Sequence, residues 1–256
     1  MTKPSSFVWY ELMTSDTDAA ASFYHKVIGW QARPFDPPAN TYTLLSNGDT
    51  DVAGLMKTPP EALAMGAKPS WGAYIRVEDV DDHLLRLAQA GGAVIRAAED
   101  IPGVGRFAVV ADPDGAIFLL FRELDSPPRP PVAPGTPGHV GWHELRATDP
   151  AAAFTFYAQL FGWTLAEALD MGPMGTYRLF AIDGKTVGGI MQKPAEAPRP
   201  YWLLYLNVDA LDAALTRVTD AGGTLLTEPM EVPGGAWVAR CRDPQHAEFA
   251  LVAAKR

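Results

Sequence analysis

Apolar residues recur at helical spacing in two matching places. Ala20, Phe23, Tyr24, Val27 and Ile28 fall at i, i+3, i+4, i+7 and i+8, and Ala153, Phe156, Tyr157, Leu160 and Phe161 repeat the spacing. Each set predicts one apolar helix face laid on a sheet. Asp16 or Asp18 supplies a helix start in the first copy, and Asp149 followed by Pro150 does so in the second. Gly29 and Gly162 stand where a helix ends on a residue able to take positive φ. A strand is predicted ahead of each helix, roughly Phe7–Met13 in the first copy. Side chains alternate faces along a strand. Tyr10 and Leu12 should therefore face the helix, and Trp9, Glu11 and Met13 the other side. In the second copy Trp142, Glu144 and Arg146 share that other side.

The two copies keep one register from Trp9/Trp142 through Glu11/Glu144 and Asp16/Asp149 to Trp30/Trp163. The rest of the pattern also repeats. A strand over Gln31–Phe35 is followed by Thr41–Leu45 and Val52–Met56, a hairpin turning at Asn47-Gly48. Thr176–Ile182 and Val187–Met191 match that hairpin. Thr58–Lys68 reads as a connector. Tyr74–Val77 begins a second strand–helix unit, with Val80, Leu84, Leu87 and Ala88 as the helix face and Gly91-Gly92 as its end. Val94–Arg96, Arg106–Ala111 and Ile117–Phe121 follow, with a tight turn at Asp112-Pro-Asp-Gly115. Trp202–Val208, a helix carrying Leu211, Leu215 and Val218, and Asp243-Pro-Gln-His246 are the later counterparts. The expectation is an α+β chain of four βαβββ units. Each unit has one helix-covered sheet face, and the other face lines a concavity shared with its neighbour.

Pro127, Pro128, Pro130, Pro131, Pro134 and Pro137 crowd residues 126–138. Proline has a fixed φ and no amide donor, so this is a stiff, extended linker. It sets expected domains at 1–125 and 139–256.

Composition narrows the function. At 256 residues and 48% hydrophobic content, the chain can bury two cores of ordinary size. A net charge of −9 argues against a nucleic-acid or anionic-membrane partner. Cys241 is the lone cysteine, so an internal disulfide and a thiolate metal cluster are excluded. With no signal-peptide pattern and no apolar run near the ~20 residues that span a bilayer, a cytoplasmic protein is expected. It would be a monomer with paired domains or a homodimer.

The ordered set Asp-x(6)-Phe-Tyr-x(4)-Gly-Trp, the helix start Val77 to Asp82, Gly-Gly, and Asp-Pro-Asp-Gly before a last apolar strand resembles the glyoxalase, bleomycin-resistance and extradiol-dioxygenase superfamily, the vicinal oxygen chelate fold. The resemblance covers nearly all of both halves. It is similar to the tandem two-domain actinobacterial type described as hydroxylase-like or 27 kDa antigen-like. The resemblance implies metal ligands at positions that here hold Trp9, Met56, Gly72 and Leu119, and Trp142, Met191, Leu203 and Ala250. None is a hard oxygen or nitrogen ligand. No cofactor is expected at the usual site.

The candidate chemistry centres on Glu11 and Glu144. In a hollow lined by Trp and Met, such a carboxylate would be desolvated, which suits a general base or a ligand anchor. The competing reading is a structural Glu at a domain seam. Trp9, Trp142, Trp71, Trp202, Trp237 and Tyr205 could box a flat ligand, or simply pack. Met13, Arg146, Tyr74, Arg76 and Asn207 complete the candidate ligand-binding set. Arg76 and Asn207 would hold a ligand carboxylate or pair with the Glu. His139, His143, Glu144, His246 and Glu248 are the residues from which a displaced metal site would have to be built. His25 and His83 should face solvent. The expectation is metal-independent binding of a small aromatic or natural-product-like molecule. The alternatives are a lyase, isomerase or hydroxylase-like enzyme using Glu11 or Glu144 as base, and a metal-dependent lyase or dioxygenase with relocated ligands.

Overall fold

The computed structural model describes residues 5–35, 42–124 and 132–256. The Pro-rich linker therefore lies outside the described residues as far as Pro131, and so does Thr41 at the start of the expected hairpin. Four βαβββ modules follow one another. The first holds β1 (Phe7–Thr14), α1 (Thr17–Ile28), β2 (Gln31–Pro34), β3 (Tyr42–Asn47) and β4 (Thr50–Lys57). A short helix, α2 (Pro60–Ala64), interrupts the stretch expected to be plain connector. Pro60 at its first turn explains the start, since the missing amide is not needed there. The second module holds β5 (Ser70–Arg76), α3 (Val80–Gln89), β6 (Ala93–Ile101), β7 (Gly105–Ala111) and β8 (Ile117–Glu123).

The third module holds β9 (Val140–Ala147), α4 (Pro150–Phe161), β10 (Thr164–Asp170), β11 (Thr176–Ile182) and β12 (Lys185–Gln192). The fourth holds β13 (Tyr201–Asn207), α5 (Leu211–Asp220), β14 (Thr224–Leu225), β15 (Met230–Glu231), β16 (Trp237–Arg242) and β17 (Glu248–Ala253). In this module two-residue strands stand where the second has the nine-residue β6. Pro229 lies between them and cannot donate to a ladder. The four-module α+β plan is as expected.

The helices form where the caps direct. Asp16 accepts from the Ala19 amide, and Asp149 accepts from Ala151 and Ala152. Gly29 and Gly162 close the two helices at φ 93° and 73°. Within the two mixed sheets the modules contribute the runs β2-β3-β4-β1, β5-β8-β7-β6, β10-β11-β12-β9 and β13-β17-β16-β14. The first strand of each module lies parallel to its last. Glu11 sits beside Gly54 and Met13 beside Met56; Glu144 sits beside Gly189 and Arg146 beside Met191.

Backbone proximity groups the chain into two discontinuous compact units: Met1–Val8, Ala73–Pro130 and Trp142–Trp202, and Trp9–Gly72, Pro131–Gly141 and Leu203–Arg256. The first unit unites the helix-side cores of modules two and three. Ile75, Leu87, Phe118 and Leu120 cluster with Leu145, Phe156, Tyr157 and Phe161. Arg86 reaches the carbonyls of Gln159 and Leu160. In the second unit Phe23, Tyr24, Trp30, Trp71 and Phe249 make the aromatic core. Arg217 of α5 donates to the Val27 carbonyl at the end of α1. No helix among the described residues is long and apolar enough to cross a membrane.

Candidate functional site

The alternation along β1 and β9 decides the geometry. Leu12 and Leu145 are fully buried on the helix side, and Trp9, Glu11 and Met13, like Trp142, Glu144 and Arg146, occupy the opposite face. Both glutamates are buried, at 7% and 4% exposure. The Trp9 indole N–H donates to the Tyr42 hydroxyl at 3.0 Å. That hydroxyl in turn hydrogen-bonds Glu11. Burial first, and then the adjacent Glu11 carboxylate, hold the Tyr42 phenol protonated far above its ordinary range. The third module repeats the indole-to-phenol bond, Trp142 to Tyr177, at 2.6 Å. There Glu144 pairs with Arg146 at 2.6 Å between Oε1 and Nε.

Two glycines make room for the tyrosines. A Cβ on Gly54 would overlap the Tyr42 ring, and one on Gly189 would overlap Tyr177. Glycine here serves close approach and not backbone freedom, since neither position has positive φ. Tyr42 and Tyr177 were not among the expected site residues. Their signal was present: each precedes its glycine by the same separation in both repeats, on the strand paired with the glycine's own.

The expected aromatic box does not form as one wall. Trp71 and Trp202 lie on the helix side, where their indoles donate to Tyr24 at 2.9 Å and Tyr157 at 3.2 Å. Tyr74 and Tyr205, three residues on, therefore face the other way. Tyr74 packs against Phe107 and Phe121 beside Leu119, and Tyr205 sits beside Ala250. Trp237 instead carries the Arg256 guanidinium over its ring. Arg76 is exposed. Asn207 is buried, but its side chain covers Gly141, and its backbone bonds Gly138 and His139.

The residues named for a displaced metal do not converge. His143 lies on the helix side, stacked on Phe7 with centroids 3.8 Å apart, and its Nδ1 donates to the Val187 carbonyl. His246 is exposed in a turn, and Glu248 is engaged by Arg240 and Arg242. Among the described residues no three His, Cys, Asp or Glu side chains gather as a metal site requires. The side chains at the ligand positions implied by the resemblance, with Trp9 and Trp142 spent on tyrosine bonds, do not fit a divalent ion either. His83, expected at the surface, is buried and bonds the Asp79 carbonyl.

The chain is 34% identical over 262 residues to the anthracycline biosynthesis protein DauV of Streptomyces sp. strain C5, covering 97% of this chain and 93% of that one. It is 30% identical over 249 residues to the Mycobacterium tuberculosis protein CFP32, which carries a provisional glyoxylase label, covering 95% and 93%. Among solved structures, the Mn(II)-bound glyoxalase from Novosphingobium aromaticivorans superposes with a TM-score of 0.70 at 15% identity, over 99% of this chain and 83% of that one. A mutant 4-hydroxymandelate synthase from Streptomyces coelicolor superposes at 0.67 and 16%, over 98% and 93%. These two likenesses speak for the fold alone. The model of the Glyoxalase/Bleomycin resistance protein/Dioxygenase superfamily matches residues 6–120 and again 136–251, and with four βαβββ modules in that order the chain belongs to this superfamily.

Proposed function

We propose that this protein binds a small, partly aromatic molecule of natural-product type, without a metal ion, on the sheet faces turned away from the helices. The observation that carries this is the repeated Trp–Tyr pair beside a buried Glu: Trp9, Tyr42 and Glu11, and Trp142, Tyr177 and Glu144. Aromatic rings give a flat ligand large contact at small conformational cost, and one placed carboxylate orients it. The similarity to a protein named for anthracycline biosynthesis supports the same ligand class. In this reading Trp9, Trp142, Met13 and Tyr42 form walls, and Glu11 and Glu144 are anchors.

An enzyme reading has one observation in its favour. Glu11 accepts from a neutral phenol that itself accepts from an indole, an arrangement able to support proton transfer at that carboxylate. Glu11→Gln and Glu144→Gln separate the two. Thermal shift against aromatic natural products identifies a ligand, since binding to the native state raises the midpoint. An anchor variant loses affinity by roughly tenfold or more. A base variant keeps affinity and loses turnover. A protein whose midpoint no aromatic compound moves would sink the binding reading.

A further inference from the structure

Arg86 and Arg217 hold matched places. Arg86 of α3 donates to the Gln159 and Leu160 carbonyls near the end of α4, and Arg217 of α5 to the Val27 carbonyl near the end of α1. A guanidinium suits a helix C-terminus, where carbonyls lack amide partners and the dipole is negative. The residue one turn earlier is what differs. His83 stands three residues before Arg86, and Ala214 three residues before Arg217. We infer that His83 makes the α3–α4 contact a pH-sensitive latch, closed while the imidazole is neutral and loosened by acid, whereas Ala214 leaves the α1–α5 contact without this response.

The partners of the buried imidazole dictate its tautomer. Its Nδ1 faces the Asp79 carbonyl at 2.9 Å, and its Nε2 faces Nη1 of Arg86 at 3.4 Å. A carbonyl only accepts, so Nδ1 carries the proton. A guanidinium only donates, so Nε2 is the lone pair that accepts from Arg86. Arg86 is thus held by His83 through Nη1 while its Nη2 holds α4 at 3.3 and 3.2 Å. Protonation turns Nε2 into a donor aimed at a donor, and sets two cations side by side. The Phe161 ring of α4 lies nearly parallel to the imidazole, so no polar partner is offered from that side. Among the described residues the charged groups acting on His83 are Arg86, Asp82 and Asp79, all on α3 or its cap. α4 carries no Asp, Glu, Lys, Arg or His, and its Tyr157 is tied to Asp112. Burial, foremost, lowers the His83 pKa; the bond to the Asp79 carbonyl raises it, the Arg86 charge lowers it, and Asp82 and Asp79 raise it. The closed contact therefore favours the neutral ring. An opened one returns it to an ordinary pKa of about 6.5, so acid below that value favours opening.

The test is amide hydrogen exchange of the full chain at about pH 7 and about pH 5, with labelling times scaled for the intrinsic pH dependence of exchange. The readout is the last turn of α4, and the last turn of α1 is the internal reference. The reference cancels a second acid-sensitive pair, since Asp112 under Tyr157 and Asp243 under Tyr24 are matched and both are raised by burial. In the wild type, protection of the α4 turn should fall on the order of tenfold relative to the α1 turn at the lower pH. His83→Gln, which does not titrate, should abolish that difference, and so should His83→Ala, which copies the α5 arrangement. Arg86→Met should leave the α4 turn poorly protected at both pH values. Equal changes in the two turns of the wild type overturn the latch, and this outcome needs no variant to fold. A pH response that survives in His83→Gln, or an α4 turn left unchanged by Arg86→Met, overturns it as well.

Discussion

His143 shows how little a residue's identity says about its role until its face is known. One position away from Glu144, it points to the opposite side of β9 and stacks on Phe7. Burial drives its imidazole pKa down to about 4, with the bond to the Val187 carbonyl pulling weakly the other way. The folded pKa is depressed, so the unfolded chain binds the proton first. Stability is intact above about pH 6.5, the ordinary value, and is lost as pH falls toward 4, by on the order of 3 kcal/mol. His83, also lowered by burial, acts in the same direction. Asp112 and Asp243, raised by burial, act in the opposite one. Urea denaturation between pH 7 and 4 should show a shallower decline for His143→Phe than for the wild type. Parallel curves would mean that this imidazole is not a source of the acid sensitivity.

At the scale of elements, local rules carried most of the way. Caps, apolar spacing and glycine stops located α1 and α4, and the Asn47-Gly48 turn located the first hairpin. Asp149 satisfies two amides at the start of α4 and Asp16 one at the start of α1. Asp149→Ala should therefore cost about 1 kcal/mol, and more than Asp16→Ala, in chemical denaturation. Equal costs would show that the count of capped amides does not set the effect. The misplaced residues have physical explanations. Trp71 and Tyr74 are three apart, so strand alternation separates them, and Trp202 and Tyr205 likewise. Tyr42 and Tyr177 escaped notice because a tyrosine gains its meaning here from a glycine on the neighbouring strand.

The whole molecule adds pairings between distant stretches of chain. Tyr157 accepts from Trp202 and donates to Asp112 in one unit; Tyr24 accepts from Trp71 and donates to Asp243 in the other. Each aspartate also accepts two backbone amides in its own Asp-Pro turn. Removing one hydroxyl strands a buried carboxylate oxygen and an indole N–H. Tyr157→Phe should thus destabilise by about 1–3 kcal/mol, read as a shift of the denaturation midpoint. A neutral substitution would show that water or a rearranged partner takes over both groups. By itself the sequence determined the repeat, the four βαβββ modules, the helix-covered faces and the glutamates' strand positions, because periodicity, caps and turns act within a few residues. Only the tertiary structure decided that module two shares a core with three and one with four, that Tyr42 reaches Glu11, and that two tryptophans belong to the interior. Those outcomes depend on which surfaces fit and which buried donors meet acceptors across the fold, and no local spacing encodes that.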